Sequence, residues 1–174
     1  LNLVLEGASS IAEKDDGESD CRGIFVNGDL TISGDGVLSV TAGDAAEDDS
    51  YGIYVNGNLT IKSGTINANG GTASGSSYGI YATTVMIHDG TVNATGGSAG
   101  ITCGIYSNDV TVTGGVTVAT GGTASGSALT SYGISISSFG DATVTTTGVV
   151  LVAREGSGTT AKAIDGTLTT NGTQ

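Results

Sequence analysis

The chain has 174 residues, a length suited to one domain, with 31 Gly, no Pro, no Trp and a formal charge of −12. A charge of that sign leaves no basic surface to follow a phosphate backbone, which excludes nucleic acid as a partner and disfavours anionic membranes. No stretch approaches the ~18 apolar residues of a membrane span, so no membrane insertion is expected, and β-branched residues recur too regularly for a disordered chain.

The opening "LNLVLEGASSI" (Leu1 to Ile11) reads as the tail of a coil whose beginning is missing. A chain that starts at Leu1 without an initiator Met reads as a segment of a longer surface protein, and the targeting information would lie elsewhere. An acidic stretch, "EKDDGESD" (Glu13 to Asp20), follows. Residues 1–50 carry 12 of the 17 acids, and only Lys14 and Arg22 oppose them.

From there the chain repeats itself. The anchors Gly23-Ile24, Gly52-Ile53, Gly79-Ile80, Gly104-Ile105 and Gly133-Ile134, and a worn copy at Ala163-Ile164, are spaced by 29, 27, 25, 29 and 30 residues. Each anchor begins a "GIYV" segment. A turn such as Asn27-Gly28, Asn56-Gly57 or Asn108-Asp109 is expected next, then an alternating "NLTI" segment, a Gly turn and a "GTINA" segment. Alternation of period two between Gly and Asn breaks predicts three short strands per repeat. A repeat of this length predicts a solenoid. The expected fold is all-β: a right-handed parallel β-helix of about six coils, each of 25–30 residues. One domain covers 1–174, with residues 1–20 a truncated coil and acidic loop, 21–166 the repeats and 167–174 a truncated last coil. Length varies mainly between the double Gly and the next anchor, so one corner should carry the variable loops.

Parity places Tyr51, Ile53, Val55 and their equivalents, Tyr78, Cys103 and Tyr132 among them, on the inner face. Phe25, Tyr54, Tyr81 and Tyr106 then form an outward column, each beside an outward Gly that would leave a notch. Such a column either packs ring on ring or offers sugars a surface on which to lay their apolar faces. In "GGVTVATGG", Val116 and Val118 fall out of phase, and a bulge at Gly114-Gly115 would reset them.

The acidic loops should gather on one corner. Asp15, Asp16, Asp44, Glu47, Asp48 and Asp49 are candidate calcium ligands, since calcium takes six to eight oxygens. Their spacing matches no calcium-loop motif, and a solvated acidic rim is the other reading. No other cofactor is implied. His88 beside Asp89 makes a weak pair, because neighbours on a strand point to opposite faces, and no paired carboxylates suit glycosidic catalysis. Cys21 and Cys103, three coils apart, are too distant for a disulfide. Thr111/Thr113, Thr143/Thr145 and Thr167/Thr169 resemble an ice-binding array, but Lys62, Met86 and His88 interrupt it.

The repeats at Gly23 to Gly43, Gly52 to Gly71, Gly79 to Gly97 and Gly104 to Gly122 resemble those of secreted or wall-attached, adhesin-like, carbohydrate-binding-domain proteins of gut bacteria, within the pectate-lyase-like β-helix superfamily. That resemblance implies an extracellular, secreted or cell-wall attached module without enzymatic activity, whose partner is a polysaccharide or a host or bacterial surface glycan. None of the superfamily's catalytic residues maps onto this chain. A polysaccharide lyase or hydrolase with its catalytic groups in the corner loops is the alternative, as is a structural spacer. Open coil ends would invite edge-to-edge self-association.

Overall fold

A computed structural model of the chain describes residues 1–13, 19–125, 129–137, 143–146 and 150–170. Every regular element among them is a strand, and all strand pairing is parallel, building a β-solenoid of about five turns with three strands per turn. No helix among the described residues is long and apolar enough to cross a membrane.

The first ladder runs through Cys21–Val26, residues 50–55 of Ser50–Ile61, residues 76–82 of Ser76–Ile87, then Ile101–Ser107, Thr130–Ile136 and Thr160–Asp165. Six anchor strands thus bound the five turns. The second ladder takes Asn2–Leu5, Leu30–Gly34, the later parts of the two long strands, Asp109–Val112, Thr143–Thr146 and Thr167–Thr170. The third takes Ala8–Ala12, Val37–Thr41, Thr65–Asn69, Thr91–Thr95, Val116–Thr120 and Val150–Arg154.

Register puts like on like. Ile24, Ile53, Ile80, Ile105, Ile134 and Ile164 align rung by rung. The middle four are fully buried. Leu30, Leu59, Val85 and Val110 of the second ladder, and Leu38, Ile66 and Val92 of the third, close the same core. Each such side chain contributes about 1.5–3 kcal/mol of apolar burial, and each coil depends on its neighbours for that burial.

The structure departs from the sequence-based expectation in three places. At Asn56-Gly57 there is no tight turn: Ser50–Ile61 and Ser76–Ile87 run through the first corner as single strands. The pairing slips between Val55 and Asn58, where one coil is a residue longer. Asp29 Oδ1 accepts the Asn58 N–H at 2.8 Å and Asn56 Nδ2 donates to Asn27 Oδ1 at 3.0 Å, so the bend is bracketed from coil to coil.

At Gly114-Gly115 the phase is not reset. Val116, Thr117 and Val118 pair with Thr91, Val92 and Asn93, so Thr117 is buried in the core and Val116 is exposed. Continuous ladders on both sides hold the register, and one reversed pattern does not outweigh them. Tyr51 and Tyr78 are the third departure. They leave the Ile core and join a separate aromatic cluster.

Candidate functional site

The aromatic cluster owes its shape to the corner where the third ladder meets the first. Gly52 lies against the opposite backbone: a Cβ there would sit 2.6 Å from the Gly79 carbonyl oxygen and 2.8 Å from the Asn69 nitrogen. Gly79 and Gly104 repeat the arrangement against Thr95 N and Thr120 N, each at 2.5 Å. These glycines therefore turn inward and are buried, which corrects the expectation of an outward notch. Gly52 and Ile53 both face the interior, the alternation slips by one, and Tyr51 comes out beside Tyr54.

A column of hydroxyls ties this neck. Ser50 Oγ donates to the Gly43 carbonyl at 2.9 Å and accepts the Gly71 N–H at 2.8 Å. Ser77 does the same between Gly71 and Gly97, at 2.7 and 2.9 Å. Thr102 and Ser131 continue it by accepting the N–H of Gly122 and Gly156. Cys21 heads this column, paired with Ser50, while Arg22 heads the Tyr51–Tyr78–Cys103–Tyr132 column. The two cysteines therefore stand in different columns, both buried and both unbridged. The sequence signal for the hydroxyl column was present in "SYGI" and "TCGI", as a Ser or Thr two positions before each Gly.

The expected column of Phe25, Tyr54, Tyr81 and Tyr106 is in register on adjacent rungs and ends at Ser135 and Asp165. Phe25 and Tyr54 stack at 5.3 Å, Tyr54 and Tyr81 meet edge to face at 5.0 Å, and Tyr81 and Tyr106 stack at 5.0 Å. Tyr51 and Tyr78, 5.3 Å apart, form a second row beneath, which parity alone did not predict. Phe25 is 53% exposed, and Tyr54, Tyr81 and Tyr106 are half-buried. Stacking or edge contacts join each ring to the next along the column.

Charge gathers at the first end of this edge. The Arg22 guanidinium lies 5.2 Å from the Phe25 ring centre and 5.3 Å from that of Tyr54, and it pairs with Asp20. Tyr51 donates its hydroxyl to Asp49 Oδ2 at 2.9 Å. Burial, reinforced by that carboxylate, pushes the Tyr51 phenol well above its ordinary range, and burial does the same to Tyr78. Burial also pushes the Cys103 thiol up to about 12.

Of the calcium candidates, Asp48 and Asp49 come together with Asp20, their carboxylate oxygens within 4.8 Å of one another. Asp20 was not among the sequence-based candidates. Asp44 and Glu47 are not in this group, and Asp15 and Asp16 lie outside the described residues. Calcium wants six to eight oxygens. Here Asp20 already accepts the Asp49 N–H, Asp49 accepts the Ser76 N–H, and Asp44 accepts the Thr72 N–H. In the structure these carboxylates bracket one coil to the next.

On the opposite side of the lap an open groove of about 600 Å³ is lined by Gly34, Asp35, Ser63, Gly64, Asp89 and Gly90, among others. Asp89 accepts the N–H of Gly90, and His88 Nδ1 lies 3.2 Å from Thr113 Oγ1, so the two neighbours have separate partners. On the second ladder Met86 occupies the register position between Thr60 and Thr111, interrupting the threonine array.

The fold and this edge define the chain as a parallel β-solenoid with an aromatic column along one corner. No protein-family model, curated protein or solved structure matches it.

Proposed function

We propose that this chain is a non-catalytic, extracellular repeat module of the adhesin-like, carbohydrate-binding kind, secreted or attached to a cell wall. Its aromatic edge would take a polysaccharide or a surface glycan. The observation that carries this reading is the run of four registered rings, from Phe25 at 53% exposed to half-buried Tyr106, fixed by a second row of tyrosines beneath. Rings held this way lose little freedom on binding, and their edges and hydroxyls offer a sugar both apolar and hydrogen-bonding contact.

The ring-on-ring stacking favours a second reading, in which the column is packing and the solenoid is a spacer. Binding to a broad polysaccharide array separates the two, comparing the natural chain with a Tyr54→Ala/Tyr81→Ala variant whose β-structure is first verified by circular dichroism. Binding that disappears in the double variant supports the glycan module. An array blank for both proteins favours the spacer.

A further inference from the structure

The charges beside the aromatic edge bear on which glycan it would take. Two bases stand in the columns of this edge, Arg22 at its first end and Lys162 at its last. Arg22 is paired with Asp20 and held over Phe25 and Tyr54. Lys162 Nζ lies 2.8 Å from Asp165 Oδ1. The remaining described bases are elsewhere: Arg154 ends a strand of the third ladder and Lys62 follows the second. Lys14 lies outside the described residues.

Carboxylates, by contrast, exceed these bases at the first end. Asp48 and Asp49 stand with Asp20 around Tyr51, and Asp48 is exposed. The charge of Asp49 reaches the phenols of Tyr51, Tyr78 and Tyr81 as well, adding to burial in holding their protons. A uronate or sulfated chain laid along these rings would meet net negative charge, since among the described residues Arg22 and Lys162 are each already paired with a carboxylate, and like charges brought together across a contact disfavour binding. An ammonium-bearing chain would meet the opposite field.

Resting on the glycan-binding reading, we propose that the ligand of the aromatic edge is a polysaccharide with free amines, a polymer of de-N-acetylated hexosamine. The rings supply contact with the sugar, and the net negative charge of the corner, presented by exposed Asp48 beside the already bonded Asp20 and Asp49, supplies the preference for the amine.

The test compares three soluble probes by titration calorimetry: chitosan oligosaccharides, the same oligosaccharides re-N-acetylated, and oligogalacturonate. Chitosan should bind about tenfold more tightly than its acetylated form, a difference of about 1.4 kcal/mol, and oligogalacturonate should not bind. Raising the salt to about 1 M, where the screening length falls to about 3 Å, should remove the chitosan advantage and leave the neutral probe unchanged. Asp48→Asn should weaken chitosan roughly twofold to fivefold, as expected for an exposed charge pair, without affecting the acetylated probe. Tyr54→Ala/Tyr81→Ala should abolish binding of both.

Equal affinity for the two forms, or binding of oligogalacturonate, overturns the amine preference while leaving glycan binding intact. Chitosan binding that persists in the double tyrosine variant marks mere attraction of a polycation to an acidic protein, and overturns it too. Failure of every probe overturns the amine preference, and the polysaccharide array then decides the glycan reading separately.

Discussion

The rings of Tyr51 and Tyr54, three positions apart on one strand, stack with centroids 4.9 Å apart and planes 23° from parallel. In an unbroken strand, positions three apart face opposite sides. Gly52 is where the alternation gives way. Without a Cβ it can lie against the carbonyl of Gly79 and the backbone of Asn69, and the first and third ladders close to contact there.

Gly52→Ala should therefore destabilise the fold through overpacking. Its φ does not require glycine, but the new methyl would meet backbone atoms at 2.6 to 2.9 Å that cannot rotate away. Overpacking of this kind costs about 1–3 kcal/mol. A fall in the urea midpoint, with the tyrosine near-ultraviolet circular dichroism changed in the folded state, is the expected result. An unchanged midpoint would show that the neck is looser than the contacts imply.

Ser77 sits on the same neck. Ser77→Ala leaves the Gly71 carbonyl and the Gly97 N–H without their hydroxyl partner, and an unsatisfied buried group costs about 1–3 kcal/mol. Ser77→Thr keeps the hydroxyl, as Thr102 does one coil later, and should cost less. Cys21→Ser belongs to the same series, because the Cys21 thiol already donates to the Asp44 carbonyl at 3.3 Å, and it should be close to neutral. Denaturation midpoints of the three variants would test the order. A harmless Ser77→Ala would mean that water replaces the hydroxyl.

How much of this could be read beforehand follows from how local each cause is. The Ile column was legible because alternation and a repeat period act along the chain, and Ile53 and Ile80 had only one face to bury. The Phe25–Tyr54–Tyr81–Tyr106 column was legible for the same reason. The second row at Tyr51 and Tyr78 was not. Its position depends on a distance between ladders that are neighbours only after the coil has closed. The same holds for Asp20, which joins Asp48 and Asp49 only because successive corners stack.

Thr117 offers a stabilising substitution. It lies in the register column of Leu38, Ile66 and Val92, fully buried, and its Oγ1 has no hydrogen-bond partner among the described residues. Thr117→Val removes that hydroxyl and keeps the branched shape. The gain should be about 1–2 kcal/mol, the scale of an unpaired buried polar group. An increase in the thermal midpoint checks it, and a decrease would reveal a partner for the hydroxyl, such as an interior water.

Alkaline pH should lower the stability of the solenoid through the buried groups of this corner. Burial raises the Tyr51 and Tyr78 phenols above their ordinary range, with the Asp49 carboxylate adding to it at Tyr51, and burial pushes the Cys103 thiol up to about 12. In the unfolded chain the thiol titrates near about 8.5 and the phenols near about 10. A raised pKa favours the folded state fully below the unfolded value. The benefit is lost as pH climbs, because the unfolded chain then releases protons that the folded chain holds. Each group removes about 1.4 kcal/mol per pH unit across its window. The urea midpoint should be level up to about pH 8, decline through the thiol window and fall more steeply above about pH 10, where the phenols join. In Cys103→Ala the first decline should vanish and the second remain. Tyrosinate absorbance from Tyr51 and Tyr78 should appear together with unfolding, and its appearance in a still-folded protein would show that these phenols are open to solvent.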